Sequence, residues 1–104
     1  MNSEEFIYLW KFSVLAGKQN EFEKLYGADG EWVELFKKHP GYISTQLLKS
    51  TESEFTYVTI DRWKSKEDME DFKLKFKNEF EALDKKGELL TDNEKFIGDF
   101  IIVG

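Results

Sequence analysis

The stretch EFTYVTIDRWKSKEDMEDF (Glu54–Phe72) joins a strand to a helix and decides the fold. Residues Glu54–Trp63 are rich in aromatic and β-branched side chains, which is typical of a β-strand. Ser65 is well suited to the N-cap of a helix, and the acids that follow it suit the positive end of a helix. The stretch therefore predicts a strand that ends at Trp63 and a helix that begins directly after it.

The segments on either side of this joint extend the pattern. Tyr42–Ser50 has the composition of another strand, and the polar STES turn that follows it predicts a hairpin. The helix is expected to run from Lys66 to Lys86, because its apolar residues fall within an arc of about 80°. These residues are Met69, Phe72, Phe76, Phe80 and Leu83. After a turn that contains Gly87, Glu94–Val103 is expected to form the last strand.

The N-terminal part supplies another strand and a helical region. Phe6–Val14 is predicted to be a strand with apolar residues on both faces, and the chain turns at Gly17. Lys18–Lys38 has helical periodicity, but GADG should break it, since each glycine costs roughly 1 kcal/mol against alanine in a helix. Asp29 is expected to cap the second piece, Gly30–Lys38. The segment HPGY then ends the helix, because a residue before proline avoids the α region.

The resulting order β-α-β-β-α-β predicts a single α+β domain over residues 1–104. It matches the ferredoxin-like motif, a four-stranded antiparallel sheet with two helices on one face. Three of the strands carry apolar residues on both faces, so the face without helices should be too apolar for water. We therefore expect a homodimer in which two copies of this sheet face meet.

Composition limits the classes of function. The 104-residue chain has a net charge of −6, which argues against nucleic-acid binding. It has no cysteine, which suits the cytoplasm, and its N-terminus lacks the features of a signal peptide. No apolar stretch approaches the roughly 20 residues that span a membrane. One histidine and scattered carboxylates make no metal-ligand set. We expect a soluble cytoplasmic protein without a metal.

Two single residues are candidates for catalysis. His39 is the only histidine, and histidine is a common general acid or base. Its position in the turn KKHPG favours a solvated loop residue instead. Arg62 is the only arginine beside 14 lysines, which suggests a bidentate or stacked partner. A salt bridge from the strand end to a helix or to the partner subunit is the simpler interpretation of Arg62.

Aromatic residues are candidates for a binding pocket. Tyr8, Trp10, Tyr57 and Trp63 could line a pocket for a planar ligand, although such residues more often form the core. Trp32 could serve either purpose.

The alternation of side chains along a strand limits which residues of the segment DRW (Asp61–Trp63) can lie on the same face. Successive side chains point to opposite faces, so Asp61 and Trp63 share one side and Arg62 faces the other.

With these features the sequence resembles the antibiotic biosynthesis monooxygenase-like family, whose members build dimeric α+β barrels. The resemblance rests on the Gly-Lys turn after the first strand, GEW..LF, HPGYISTQLL, YVTIDRWKSKEDMEDF and EALD. It implies a homodimer with a pocket between the sheet and the helices of each subunit. Haem-degrading members use an Asn on the first strand and a Trp and a His on the second helix. Here the first strand has no Asn, and the helix from Lys66 to Lys86 has neither Trp nor His, so haem degradation is not expected.

The resemblance leaves two hypotheses for function. The first is a monooxygenase without a cofactor that acts on a small electron-rich aromatic substrate. Arg62 and His39 are then the catalytic candidates, and the candidates for substrate binding are Trp63, Tyr57, Trp10 and Trp32. The second is a homodimer without catalytic activity that binds a small hydrophobic ligand in the same pocket.

Overall fold

A computed structural model describes residues 5–103 and confirms the predicted α+β fold. The elements follow the predicted order, with each predicted helical region divided in two. They are β1 (Phe6–Val14), α1 (Gln19–Tyr26), α2 (Glu31–Phe36), β2 (Tyr42–Lys49), β3 (Thr56–Trp63), α3 (Lys66–Lys75), α4 (Lys77–Glu88) and β4 (Thr91–Ile101).

The four strands form one antiparallel sheet in the order β2-β3-β1-β4. The central strand β1 pairs with β3 on one side and β4 on the other, so Phe12 lies between Tyr57 and Glu94. This is the strand order of the ferredoxin-like motif, in which the two central strands come from the two halves of the chain.

The inner face of the sheet packs against the helices and forms an aromatic core. Phe36 of α2 lies near its centre, with its ring 5.5 Å from Trp63 and 5.3 Å from Phe72, both edge to face. Alternation along β1 and β3 explains which side chains point inward. The fully buried large side chains are Trp63, Tyr57, Phe22, Phe72 and Leu25.

The opposite side of the sheet, which we call the outer face, carries a group of neighbouring apolar side chains beside polar ones. The register of the strands places six apolar side chains there, all half-buried or exposed: Ile7, Leu9, Leu48, Val58, Ile60 and Phe100. Each lies at a position that alternates with an inward-facing residue of its strand. No element of the described chain from residue 5 to 103 packs over this face.

The second helical region differs from the prediction of one continuous helix from Lys66 to Lys86. It divides at Phe76, whose φ of −115° and ψ of 33° are not helical. The sequence has neither proline nor glycine at this point, so no local feature of the sequence predicted the break. Gly87, expected in a turn, lies within α4 and is buried. The predicted cap is confirmed, since Ser65 Oγ accepts a hydrogen bond of 3.1 Å from the Asp68 N–H.

The break in the first helical region is confirmed, but its cap is not. α2 begins at Glu31, so the N-cap position belongs to Gly30, and no side chain caps it. The prediction that Asp29 caps this helix is therefore wrong by one position.

The last strand begins three residues earlier than predicted. It contains a bulge where the register against β1 shifts between Leu9 and Trp10. Gly98 has a φ of 154° there, a conformation that favours glycine.

Among residues 5–103 we find no helix with both the length and the apolar character needed to cross a membrane.

Candidate functional site

A cavity of about 260 Å³ lies between the inner face of the sheet and the helices. Seven of its lining residues are aromatic: Tyr8, Trp10, Phe12, Tyr26, Trp32, Phe36 and Phe80. The polar lining residues are Thr45, Thr59, Asp61, Lys73, Asp84 and Glu94. An apolar cavity with a few polar groups is the usual form of a small-molecule site.

Asp61 is the buried charge-bearing group of this cavity. It is 6% exposed and lies on β3 between Tyr8 of β1 and Thr45 of β2, its partners in the register on either side. Burial raises the pKa of its carboxyl group to about 7, because the charged form loses its hydration. Thr45 acts in the opposite direction, since its Oγ1 donates a hydrogen bond of 2.6 Å to Asp61 Oδ1.

A second hydroxyl extends this hydrogen bond toward the edge of the sheet. Tyr42 Oη donates to Thr45 Oγ1 at 2.8 Å, so the three side chains form a chain that ends on the carboxylate. Burial raises the pKa of Tyr42, the bond to Thr45 lowers it, and the charge of Asp61 raises it further. The Tyr42 side chain is half-buried, whereas Asp61 is buried.

Tyr8 faces Asp61 from the central strand. Burial raises the pKa of its hydroxyl well above the usual value, and the charge of Asp61 adds to this effect. The indole N–H of Trp63 acts in the opposite direction. The geometry between the two falls short of a hydrogen bond, so Trp63 Nε1 has no partner among the described residues. A neutral phenol beside a carboxylate is therefore the stable form of Tyr8 over the physiological range.

Carboxylates and a tyrosine occupy another part of the cavity wall. Burial raises the pKa of Glu94, and the charges of Asp84 and Glu88 raise it further. The pKa of Tyr26 is also raised, by burial first and then by Glu94. These carboxylates make this part of the wall acidic.

The one lysine of the lining lies over an aromatic ring. Lys73 is exposed, and its Nζ lies 5.5 Å from the centre of the Phe80 ring.

Arg62 lies outside the cavity. It belongs to the outer face, as the alternation of β3 requires, and its Nη2 donates a hydrogen bond of 2.7 Å to Glu5 Oε1. Both side chains are about one third exposed, at 36% and 33%. The guanidinium thus has a salt bridge, as the simpler interpretation of the sequence predicted, but its partner Glu5 precedes β1 and belongs to no helix. The structure does not bring it to the lining residues.

His39 is buried, so its interpretation as a solvated loop residue is wrong. It is 5% exposed, and its ring lies edge to face with Trp63 at 5.9 Å. The Gly41 N–H donates to Nδ1 at 2.9 Å, and Nε2 lies 2.8 Å from Asp71 Oδ2. Because Nδ1 accepts this bond, Nε2 donates to Asp71, and the ring uses both nitrogens to fix the loop against α3.

The contact with His39 changes the pKa of the Asp71 carboxylate. Its pKa is lowered, first by the bond from His39 and then by Lys75. His39, like Arg62, does not line the cavity.

Of the four aromatic candidates for substrate binding, two line the cavity and two do not. Trp10 and Trp32 line the cavity, and Trp10 is also 5.2 Å from the Phe96 ring of β4. Trp63 is fully buried in the core, and Tyr57 Oη donates a hydrogen bond of 2.6 Å to Glu23 Oε2 of α1. Neither Trp63 nor Tyr57 belongs to the lining of the cavity.

Asp61 and Thr45 were not predicted as site residues from the sequence. One signal was available, since Asp61 shares the inward face of its strand with Trp63 and an acid there has to be buried. Thr45 had no such signal, because its contact with Asp61 depends on the register between β2 and β3. Within residues 5–103, no group of three or more histidine, cysteine or acidic side chains is placed to hold a metal ion.

Comparison with known sequences identifies one family. The sequence profile described as antibiotic biosynthesis monooxygenase matches residues 6–74, which is more than half of the chain. No curated protein matches the sequence.

Solved structures share the fold at low identity. SnoaB, a cofactor-independent oxygenase from Streptomyces nogalater, superposes with a TM-score of 0.81 at 20% identity, over 98% of this chain and 96% of that one. A protein from Bordetella bronchiseptica, described as a candidate antibiotic biosynthesis monooxygenase, has a TM-score of 0.75 at 16% identity, over 96% and 98% of the two chains. A conserved protein from Methanosarcina mazei has a TM-score of 0.72 at 14% identity, over 94% and 92%.

Proposed function

The chain belongs to the antibiotic biosynthesis monooxygenase family, and from this premise we propose that it is a cofactor-independent monooxygenase acting on a small phenolic compound. One observation supports this above the others. Asp61, a buried carboxyl group with a pKa of about 7, lies in the wall of an aromatic cavity. A general base works best when its pKa lies near the working pH.

The size of the cavity favours an aromatic substrate of one or two rings. Its volume of about 260 Å³ exceeds the roughly 150 Å³ of an apolar cavity that binds benzene. The seven aromatic side chains of the lining offer flat and edge contacts to a planar ring. Thr59, which is 3% exposed, offers a hydroxyl to a polar substituent.

The reaction needs no external electron donor, because the substrate supplies the electrons. Asp61 Oδ2 takes the proton of the phenol while Oδ1 stays bonded to Thr45. The phenolate passes one electron to dioxygen, and the resulting radical pair forms a bond between carbon and oxygen. The peroxide oxygen takes a proton back from Asp61. The ionised Asp61 then removes the proton of that ring carbon as the O–O bond breaks, which leaves a quinone and a hydroxide that becomes water with this proton. One oxygen atom enters the product and the other leaves as water.

Oxygen uptake by Asp61→Asn tests the role of the carboxylate. Wild-type protein should consume oxygen with one or more members of a panel of phenols and hydroquinones. Asp61→Asn keeps the shape but cannot take the proton, so the rate should fall by about 100-fold or more. Asp92→Asn, at an exposed position of β4, is the matched control and should keep the wild-type rate. Wild-type uptake no greater than that of heat-killed protein across the panel would overturn the proposal.

The alternative is a protein that binds a small hydrophobic ligand in this cavity without turnover. Within the described residues Asp61 is the one buried carboxylate of the lining, so no second buried acid assists it. Native mass spectrometry that finds a ligand bound to purified protein, together with no oxygen uptake, would support this alternative.

We also propose that the protein is a homodimer through the outer face. Leu48 and Phe100 on this face are 46% and 49% exposed, and four further apolar side chains lie between them. A contiguous apolar surface of this kind usually marks an interface, and a second copy of the same surface complements it by symmetry. A strictly monomeric species in light scattering at micromolar concentration would contradict this proposal.

A further inference from the structure

We infer that Tyr42 and Thr45 form a hydroxyl relay that positions the Asp61 carboxylate and carries protons between it and the edge of the sheet. This inference rests on the proposed function, in which Asp61 holds the proton of the ring carbon at the end of each turnover and must release it. A buried base needs a path for this release, because the proton must cross the protein to reach solvent.

The relay is continuous in the structure. Tyr42 Oη donates to Thr45 Oγ1 at 2.8 Å, and Thr45 Oγ1 donates to Asp61 Oδ1 at 2.6 Å. Both bonds point toward the carboxylate, so the chain as it stands stabilises the ionised form. A hydrogen bond to an ionised acceptor is shorter and stronger than one between neutral groups, which suits the 2.6 Å distance.

An irregularity in β2 brings the two hydroxyls together. Tyr42 and Thr45 are three residues apart, and in a regular strand they would point to opposite faces. The register shifts here, because Tyr42 pairs with Trp63 and Ser44 already pairs with Arg62. Ile43 is thus the extra residue of a bulge, and it turns Tyr42 to the same face as Thr45. Bulges often re-aim a side chain beside a functional site.

The two ends of the relay differ in exposure. Asp61 is 6% exposed, whereas Tyr42 and Thr45 are half-buried on the edge strand β2. Inward transfer moves the Thr45 proton to Asp61 Oδ1 and the Tyr42 proton to Thr45, and a solvent water then restores the Tyr42 proton. Each O–H bond that breaks is matched by one that forms, and reversal of the same steps releases a proton.

Other groups also face Asp61 or share its cavity. Tyr8 approaches from β1, Lys73 from α3, Asp84 from α4 and Glu94 from β4. None of these has a hydrogen bond to the carboxylate in the structure, whereas Thr45 does. A change at Thr45 should therefore affect Asp61 more strongly than a change at any of them.

The test follows the titration of Asp61 by carbon-13 NMR of its carboxyl group, which requires no substrate. Thr45→Val removes the donor and keeps the shape, and it should raise the pKa of Asp61 by about one pH unit. Thr45→Ser should restore the wild-type value. Tyr42→Phe should raise the pKa by a smaller amount, because Thr45 loses the donor that orients it.

Tyr57→Phe is the matched control, since the Tyr57 hydroxyl bonds to Glu23 and lies outside the relay. It should leave the Asp61 titration unchanged, and amide spectra of all four variants report whether the fold is kept. Thr45→Val and Tyr42→Phe titrations that coincide with the Tyr57→Phe titration would overturn the inference, as would a failure of Thr45→Ser to restore it.

Oxygen uptake then separates this inference from the proposed function. If the shifts occur but wild-type protein oxidises no phenol, the relay positions a carboxylate with another role and the monooxygenase proposal fails. If uptake is found, Tyr42→Phe should lower kcat several-fold with little change in KM, whereas Tyr57→Phe should change neither. An unchanged kcat in Tyr42→Phe would overturn the proton-carrying part.

Discussion

Asp61 places a carboxyl group where the fold would otherwise be apolar. The pKa rises to about 7 from the ordinary 3.8, so the folded protein holds a proton that the unfolded chain has lost between about pH 4 and pH 7. Below this window both states are protonated, and above it both are ionised. Stability should therefore fall as the pH rises through the window, by about 1.4 kcal/mol per pH unit and about 4 kcal/mol in all.

Asp61→Asn should remove this pH dependence, because asparagine does not titrate. The variant should gain stability relative to wild-type protein as the pH rises from 4.5 to 8, measured by urea unfolding at several pH values. The other effects of the substitution on stability do not depend on pH, so the change of the difference with pH is the informative quantity. Asp92→Asn, at an exposed site, should show a constant difference from wild type. A constant difference for Asp61→Asn as well would contradict the prediction.

Arg62 is the opposite case, a charge that the fold keeps at the surface. Its guanidinium pairs with Glu5 on the outer face, where both side chains are partly hydrated. Arg62→Lys keeps the charge and should change the free energy of unfolding by less than about 1 kcal/mol. It should also leave oxygen uptake within about twofold of wild type, since the side chain lies outside the cavity. A loss comparable to that of Asp61→Asn would return Arg62 to the catalytic candidates.

At the scale of elements, α4 meets α1 at a glycine. A Cβ at Gly87 would overlap the Tyr26 hydroxyl, so the absence of a side chain lets the helix lie against this ring. Gly87→Ala gains about 1 kcal/mol in helix propensity but forces a buried ring to move, which typically costs about 1–3 kcal/mol. We expect a net loss of stability and weaker ligand binding, because Tyr26 lines the cavity.

Thermal unfolding and ligand titration measure the two effects of Gly87→Ala. Lys85→Ala, at an exposed position of the same helix, changes propensity without this contact and is the control. A Gly87→Ala variant more stable than wild type would show that moving the Tyr26 ring costs less than the gain in helix propensity.

The elements also show what the sequence could predict. β1 was predicted with its observed bounds, and the Ser65 cap was predicted because a cap depends on residues three apart. The break at Phe76 and the bulges at Ile43 and Gly98 were not predicted, since they depend on packing and on the register with another strand. The residues of the candidate site divide in the same way, into those that the sequence predicts and those that it does not.

Residues that face inward by alternation or helical period could be predicted, as Trp10 and Trp32 were. The contact of Thr45 with Asp61 could not, because it depends on the register between β2 and β3, and the contact of Tyr42 with Thr45 requires the bulge at Ile43. The residues of the cavity wall can therefore be predicted from local patterns, whereas the hydrogen bonds of Asp61 depend on the register between β2 and β3.

At the scale of the whole molecule, the sheet has one covered face and one uncovered face. The helices cover the inner face and enclose the cavity there. The outer face carries apolar residues from all four strands, although the chain has a net charge of −6 and could have placed acids on it. This contrast within one sheet is the basis of the dimer proposal.

Leu48→Asp and Phe100→Asp test the outer face from its two edge strands. Each places a carboxylate in an interface of the proposed dimer, where burial of an unpaired charge costs several kcal/mol, and symmetry doubles the number of charges. Light scattering across a concentration series should show dissociation at concentrations at which wild-type protein is dimeric. Leu74→Asp is the matched control, since Leu74 is 79% exposed on α3 and lies away from the sheet. Dissociation by Leu74→Asp alone would move the interface to the helices, and a dimer that survives both outer-face variants would show that the two sheets do not meet.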